Sequence, residues 1–172
     1  QGSYTKILKT LGPQTLPDFR RRNAPMEVKC TFTEMVDVDL LVPNPRNANF
    51  HSDQQIKLLA KIMKHQGWRH PIIVSKRSGF ICAGHGRLMA AKLNGWTNAP
   101  VDYQEFESEA QEYAFLVSDN KIAELAETDM AMVNLDAASF PDLDLDLLGI
   151  PDFVLIDPEV LEPQCDEDDV PE

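Results

Sequence analysis

The stretch Ile81 to Gly95, ICAGHGRLMAAKLNG, runs apolar until two glycines bracket His85, and a helix-like pattern then opens at Arg87. A strand that ends in Gly-x-Gly and turns directly into a helix leaves the first backbone N–H groups of that helix facing whatever lies before them. Gly84 and Gly86 let that backbone approach a ligand closely, because no Cβ stands in the way. Arg87 in the first turn adds a planar fork of donors suited to phosphate oxygens. The helix dipole disfavours a cation at this end, so an arginine there suggests an anion to meet. His85, inside the turn, becomes a ligand candidate by the same argument. Glycine also punctuates ordinary strand-to-helix turns, and the residue types alone leave that reading open.

The formal net charge of −12 must be located before it excludes an anionic ligand. From Pro141 to Glu172 there are twelve Asp and Glu and no Lys or Arg, so the whole excess lies in that tail. Between Asn44 and Lys92 stand nine lysines and arginines against one acid, Asp53. A basic centre is joined to an acidic end. Lys57, Lys61 and Lys64 recur at helical spacing and suit a solvated face, whereas Arg87 beside glycines does not. In the tail, apolar residues interleave with acids, which suits docking on a basic surface, a link to a partner protein, or a disordered end.

The elements that must position the turn follow from pattern. Residues 1–25 carry prolines and an arginine triplet without a sustained period, as an arm or leader would; QGS resembles a cloning remnant and Met26 is a candidate natural start. VKCTFTEMVDVDLLVP alternates as one or two strands ending at Pro43. Ser52 and Gln55 form a capping box for a helix with Ile56, Leu59, Ala60 and Met63 on one face and Gly67 as its stop. PIIVSKRSGFICAG reads as a hairpin, and APVDYQEF as a further strand. Ser108 and Gln111 open another helix to about Val117, with Ala110, Ala114 and Val117 inward and SDNK interrupting it. Short helices follow to Ala138. The order predicts a small α+β domain over residues 26–138, between the leader and an acidic tail or linker over residues 139–172.

Three scattered cysteines, Cys30, Cys82 and Cys165, make neither a disulfide framework nor a zinc knuckle. No stretch approaches the apolar length of a membrane span, and the expectation is a cytoplasmic protein. Trp68 and Trp96 each follow a helix-ending glycine and are expected at the core edge. His51 and His70 flank the first helix, where contact with phosphate and plain solvation are both open.

The order of motifs from Leu41 to Val101, an Asn-Pro loop, RNANFHS, PIIV, AGHGRLMAAKLNGW and PV, with SDNK later, resembles the N-terminal domain of the ParB partition proteins. It is most similar to the ParB-like domains that accompany phage-type DNA modification methyltransferases. The resemblance covers about residues 36–130 and implies the small ParB/sulfiredoxin fold. It implies a nucleoside triphosphate, typically CTP, gripped by Gly84, His85, Gly86 and Arg87, with Asn44, Arg46 and Asn47 contributing from the Asn-Pro loop. Gly86 departs from the family, which has an arginine there, and so does Asn49. Asp119 and Asn120 match a Glu-Asn pair that helps hold Mg²⁺, and they are the candidates for metal binding and catalysis. The implied role is a nucleotide switch or slow NTPase that reaches DNA through a partner or larger assembly, with a homodimer compatible. The alternative is a non-enzymatic protein or DNA interaction module; a nuclease is the weaker reading, since only Asp53 and Asp119 stand near the basic centre. Sulfiredoxins place a cysteine where this chain has His85, and Cys82 reads as a buried small hydrophobe, which argues against thiol repair.

Overall fold

A computed structural model describes residues 26–156. Four strands, β1 (Glu34–Asp37), β2 (Ile72–Ser75), β3 (Ile81–Ala83) and β4 (Asn98–Gln104), form one mixed sheet in the order β1-β4-β2-β3. Strands β2 and β4 run parallel at its centre, with antiparallel β1 and β3 outside them. The helices are α1 (Asp53–Gln66), α2 (His85–Leu93), α3 (Glu109–Glu124) and α4 (Met130–Ala138), and a 3-10 turn covers Leu145–Leu148. This is the expected α+β domain. Among the described residues before Pro43, only β1 is a strand of the sheet, with Val28 and Val42 adding isolated bridges.

Helix α1 starts where the capping box places it. The Gln55 N–H donates to Ser52 Oγ at 3.1 Å, and Gly67 ends the helix with φ +79°. The box is only half closed, because the Gln55 side chain lies 3.1 Å from His51 Nδ1 instead of returning to Ser52. Gly67 cannot be replaced cheaply: a Cβ there would stand 2.8 Å from the Glu27 carbonyl oxygen, where Trp68 N–H donates to that same oxygen. Ile56, Ala60 and Met63 are buried, and α1 packs on α2, whose Leu88, Ala90 and Ala91 complete the contact. Trp68 and Trp96 sit inside this core with ring centroids 5.7 Å apart. Their role is packing, as expected.

Helix α3 departs from the sequence reading in two ways. It runs through SDNK to Glu124 without interruption. Ser118 Oγ donates to the Phe115 carbonyl and Asn120 Nδ2 to the Leu116 carbonyl, so these polar side chains bond back to the preceding turn within the helix instead of breaking it. Asp119 therefore caps nothing; the cap of α4 is Asp129, which accepts from Ala131 and Met132 N–H. The inner face is also rotated. Ala110, Ala114 and Val117 are exposed, whereas Glu112 and Leu116 are buried.

The physical reason is Glu112. Its carboxylate accepts from Ser75 Oγ at 2.8 Å and Ser78 Oγ at 2.6 Å, clamping the β2-β3 turn to α3. Ser75 Oγ in turn accepts from the Arg77 and Ser78 N–H groups. A buried carboxylate with no hydroxyls to accept would be costly, and with them it fixes which face of α3 turns inward. Beyond α4, Lys61 of α1 pairs with Asp144 and Asp146, and Asn134 exchanges two 2.7 Å hydrogen bonds with the Ile156 backbone. Residues 1–25 and 157–172, which include eight of the twelve acids of the tail, lie outside the described residues.

Removing the clamp leaves a fully buried serine hydroxyl without its acceptor. Glu112→Ala is expected to lower unfolding free energy by about 2 kcal/mol, read from urea denaturation; Ala114→Ser on the exposed face is expected to leave the midpoint unchanged.

Candidate functional site

The strand-to-helix turn is sharper than the sequence suggests. Gly84 is the N-cap of α2, in the left-handed region at φ +101°, and His85, Gly86 and Arg87 are the first three helical residues. The helix thus begins two residues before Arg87. Its first internal bond is from Leu88 N–H to the Gly84 carbonyl, and no side chain caps it. The N–H groups of His85, Gly86 and Arg87 consequently have no carbonyl partner within the helix.

This turn opens on a cleft of about 350 Å³. Asn47, Asn49 and His51 line it from the loop before α1; Leu59, Ile62, Met63 and Gln66 from α1; and Gly67, Trp68, Arg69 and His70 from the segment after α1. Gly84 to Arg87 form its floor, and Asp119 and Asn120 face them from α3. A partly apolar cleft with a few converging polar groups and this volume suits a small ligand.

Arg87 is largely withdrawn from solvent. Its guanidinium folds back over Gly84, where a Cβ would meet Nη2 at 2.9 Å, and Nη2 donates to the Pro71 carbonyl at 3.1 Å. Its Nε is buried without a partner. Burial pulls the guanidinium below its ordinary pKa, and the Asp119 carboxylate is the largest influence acting the other way. A buried cation with a spare donor beside three free N–H groups is matched to an anion.

His85 holds the site together from beneath. Its Nε2 accepts from the Asn44 N–H at 3.2 Å, so the ring is neutral with its proton on Nδ1. Burial first, then the charges of His51 and Arg87, pull its pKa below the ordinary histidine value. Asn44 itself is tied up: its Oδ1 accepts from the Arg46 N–H, closing the Asn-Pro turn. Arg46 points to the opposite side, where it pairs with Glu109 at 2.6 Å. Asn44 and Arg46 line a different depression, with Arg77 and Tyr113. Of the three loop candidates, only Asn47 reaches the cleft.

Asp119 and Asn120 do reach it, although not from a helix end. The Asn120 amide nitrogen is spent on the Leu116 carbonyl, so its amide oxygen is the atom left to offer a ligand, and Asp119 and Asn120 both line the cleft. One carboxylate and one amide oxygen fit a Mg²⁺ ion that takes its remaining ligands from phosphate and water. Among the described residues, no group of three His, Cys, Asp or Glu side chains is placed to hold a metal by itself. Cys82 is fully buried on β3, and burial, helped by the charge of Glu112, pushes its thiol up to about 11. It is a core residue.

Ile62, Gln66 and Arg69 line the cleft without having been singled out in the sequence, and Leu59, read there only as part of the apolar face, lines it too. Ile62 and Gln66 lie one helical turn apart on α1, beside the apolar face that marked the core. The signal was present as a polar residue at the edge of that face, just before the Gly67 stop.

A mixed sheet whose third strand turns through glycine into a helix N-terminus, with a buried arginine and a carboxylate lining the same cleft, defines a small α+β domain. The model of the ParB N-terminal domain family matches residues 23–120, more than half of the chain, and the chain belongs to that family. Over 61 residues it is 39% identical to the ParB-like nuclease domain-containing protein YnaK of Escherichia coli K12, spanning 36% of this chain and 69% of that protein. The C-terminally truncated partitioning protein ParB of Caulobacter crescentus, solved with CTP-γ-S, shares the fold with a TM-score of 0.52 at 19% identity. That alignment covers 61% of this chain and 60% of the other. A Pnob8-like ParB-N domain gives a TM-score of 0.45 at 18% identity over 59% of this chain and 42% of its own.

Because the folded protein holds His85 below the ordinary histidine value, the unfolded chain takes up that proton more readily. The stability this ring contributes is present above about pH 6.5 and is lost as pH falls through the folded value. The melting temperature is expected to drop between pH 7.5 and 5.5, and to drop less in His85→Gln, whose amide can accept from Asn44 N–H but does not titrate. Equal pH slopes in both proteins would show that this ring is not the sensor.

Proposed function

We propose that this domain binds a nucleoside triphosphate in the cleft, its phosphates on the N-terminus of α2, and uses the bound nucleotide as a switch in a DNA-associated system. The observation that carries the reading is the buried Arg87, its Nε unpartnered, beside a helix N-terminus whose first three N–H groups have no carbonyl partner within the helix. Donors held in place by the fold suit a phosphate group. Asp119 and Asn120 would hold Mg²⁺, which supplies positive charge to the phosphates when bound. The residues of the chain do the rest: the turn binds and orients the phosphates, and Leu59, Ile62 and Met63 wall the cleft for the less polar part of the ligand.

CTP is the nucleotide we favour, since the ParB of similar fold was solved with CTP-γ-S. Slow hydrolysis in this site would rest on positioning and charge neutralisation by Arg87. DNA is reached through a partner or a larger assembly, and association with a DNA modification methyltransferase fits the RNANFHS, AGHGR and SDNK motifs. A two-metal nuclease would need several carboxylates converging on ions about 4 Å apart, and the cleft offers Asp119 alone. We therefore place nucleotide binding ahead of the nuclease label that YnaK carries.

The test is titration calorimetry with each of the four ribonucleoside triphosphates, with and without Mg²⁺. CTP should bind best, and Arg87→Ala should weaken it by about 1.5–3 kcal/mol, at least about tenfold. Arg87→Ala binding as tightly as the unmodified protein would place the site elsewhere. Asp119→Ala should remove the benefit of Mg²⁺ while leaving the circular dichroism spectrum unchanged; DNA cleavage by purified protein that Asp119→Ala abolishes would overturn the switch reading.

A further inference from the structure

His51 stands just before α1, outside the glycine turn, yet its ring packs directly on that turn. A Cβ built on Gly86 would lie 3.3 Å from His51 Cε1 and 3.4 Å from His51 Nε2. Any side chain at position 86 would press on this ring, so the bare glycine leaves it room. Gly86 is the second residue of α2, and its N–H is among those the helix leaves free. The imidazole edge thus lies against a residue whose backbone donor the helix leaves unpaired.

The orientation of the ring is set from the other side. His51 Nδ1 lies 3.1 Å from Gln55 Oε1, a carbonyl oxygen that can only accept, so Nδ1 carries the proton. This leaves Nε2 as the nitrogen at Gly86. The neighbouring donors are partly committed: His85 Nε2 accepts from the Asn44 N–H, and Arg87 Nη2 donates to the Pro71 carbonyl. His51 Nε2 has neither kind of tie among the described residues.

We infer that His51 is a phosphate-contacting residue of this cleft, one that grips an oligophosphate through Nε2 when the ring is protonated. This deepens the nucleotide reading above and rests on it. With Nδ1–H given to Gln55, a neutral ring offers the anion only a lone pair at Nε2, which repels it. Uptake of one proton turns the same atom into a charged donor and leaves the Gln55 bond in place. Binding an anion and binding a proton are then coupled, each favouring the other.

The surroundings of the ring act in both directions. Arg87 and His85 face it from α2, and Arg69 and His70 line the same cleft from the segment after α1. The two arginines bring positive charge to the space around the ring. Asp119, which lines the same cleft, and Asp53 in the first turn of α1 bring negative charge. An oligophosphate brings several negative charges into this space, so on this proposal its entry and the uptake of a proton favour each other.

Inorganic tripolyphosphate without Mg²⁺ tests the contact apart from any base or metal. Its binding to the full chain would be measured by calorimetry at pH 6 and pH 8, and at pH 7 in two buffers of different ionisation enthalpy. The unmodified protein should take up a proton on binding and bind more tightly at pH 6. His51→Gln should weaken binding about tenfold at pH 6, lose most of the pH dependence and take up correspondingly less proton. His51→Arg should keep the affinity without the pH dependence. If His51→Gln matches the unmodified protein in affinity and proton uptake while Arg87→Ala loses binding, the inference fails and the phosphate site stands. If the unmodified protein binds neither tripolyphosphate nor any nucleoside triphosphate, both fall together.

Discussion

Gly84 and Arg87 form the constraint on which the site depends. The backbone of Gly84 takes φ +101°, and the Arg87 guanidinium fills the space that a Cβ would need. A side chain at position 84 would meet two penalties at once, left-handed backbone and collision with a buried cation. Because the turn accepts neither, β3 passes into α2 without a spacer, and the leading residues of the helix line the cleft. The Arg87 contact with the Pro71 carbonyl then ties the turn to the entrance of β2. One arginine therefore sets the helix start and the chemistry of the cleft.

The opposite wall is positioned by a different polar contact. Glu112 is held by two serine hydroxyls of the β2-β3 turn, and it lies two helical turns before Asp119 and Asn120 on α3. Fixing Glu112 fixes the rotation of the helix, which decides whether the SDNK residues face the cleft or solvent. Apolar burial would have chosen this rotation poorly, since Ala110, Ala114 and Val117 make an equally plausible stripe. The buried carboxylate decides between the two faces. Clamp and cleft are thus parts of one arrangement: the hairpin turn orients α3, and α3 delivers a carboxylate opposite Arg87.

What the sequence disclosed follows from how local each feature is. Ser52, the Gly67 stop, the hairpin and the Gly-x-Gly turn are fixed by residues within a few positions of one another, and each was legible. Asp119 and Asn120 were located as candidates through their motif, while the helix around them was misread, because Asn and Asp suit helix ends as well as back-bonding within a helix. Asn44 and Arg46 looked like ligand residues by position in the loop. Whether they face the cleft depends on long-range partners, His85 for Asn44 and Glu109 for Arg46, which no local pattern displays. Gln66 was not singled out for the same reason, and His51, for which phosphate contact and plain solvation were both open, could not be decided locally: what matters is what the fold sets beside them.

Charge distribution shows how far folding can redraw a sequence pattern. The nine bases between Asn44 and Lys92 look like one continuous positive region. In the fold, Arg46 pairs with Glu109, Lys61 with Asp144 and Asp146, Lys76 with Glu105, and Lys92 with Asp39, all acids from outside that stretch. Each exposed pair stabilises little. Together they cancel much of the field that would otherwise attract nucleic acid nonspecifically over the surface. Arg69 and Arg87 form no ion pair among the described residues, and both line the cleft. Withdrawn from solvent, Arg87 gains more from a bound anion than an exposed lysine would, since attraction strengthens as water is excluded. Lys57, Lys64 and Arg77 form no ion pair among the described residues either, but they lie outside the cleft, so what sets the cleft apart is the burial of Arg87 rather than a monopoly on unpaired charge.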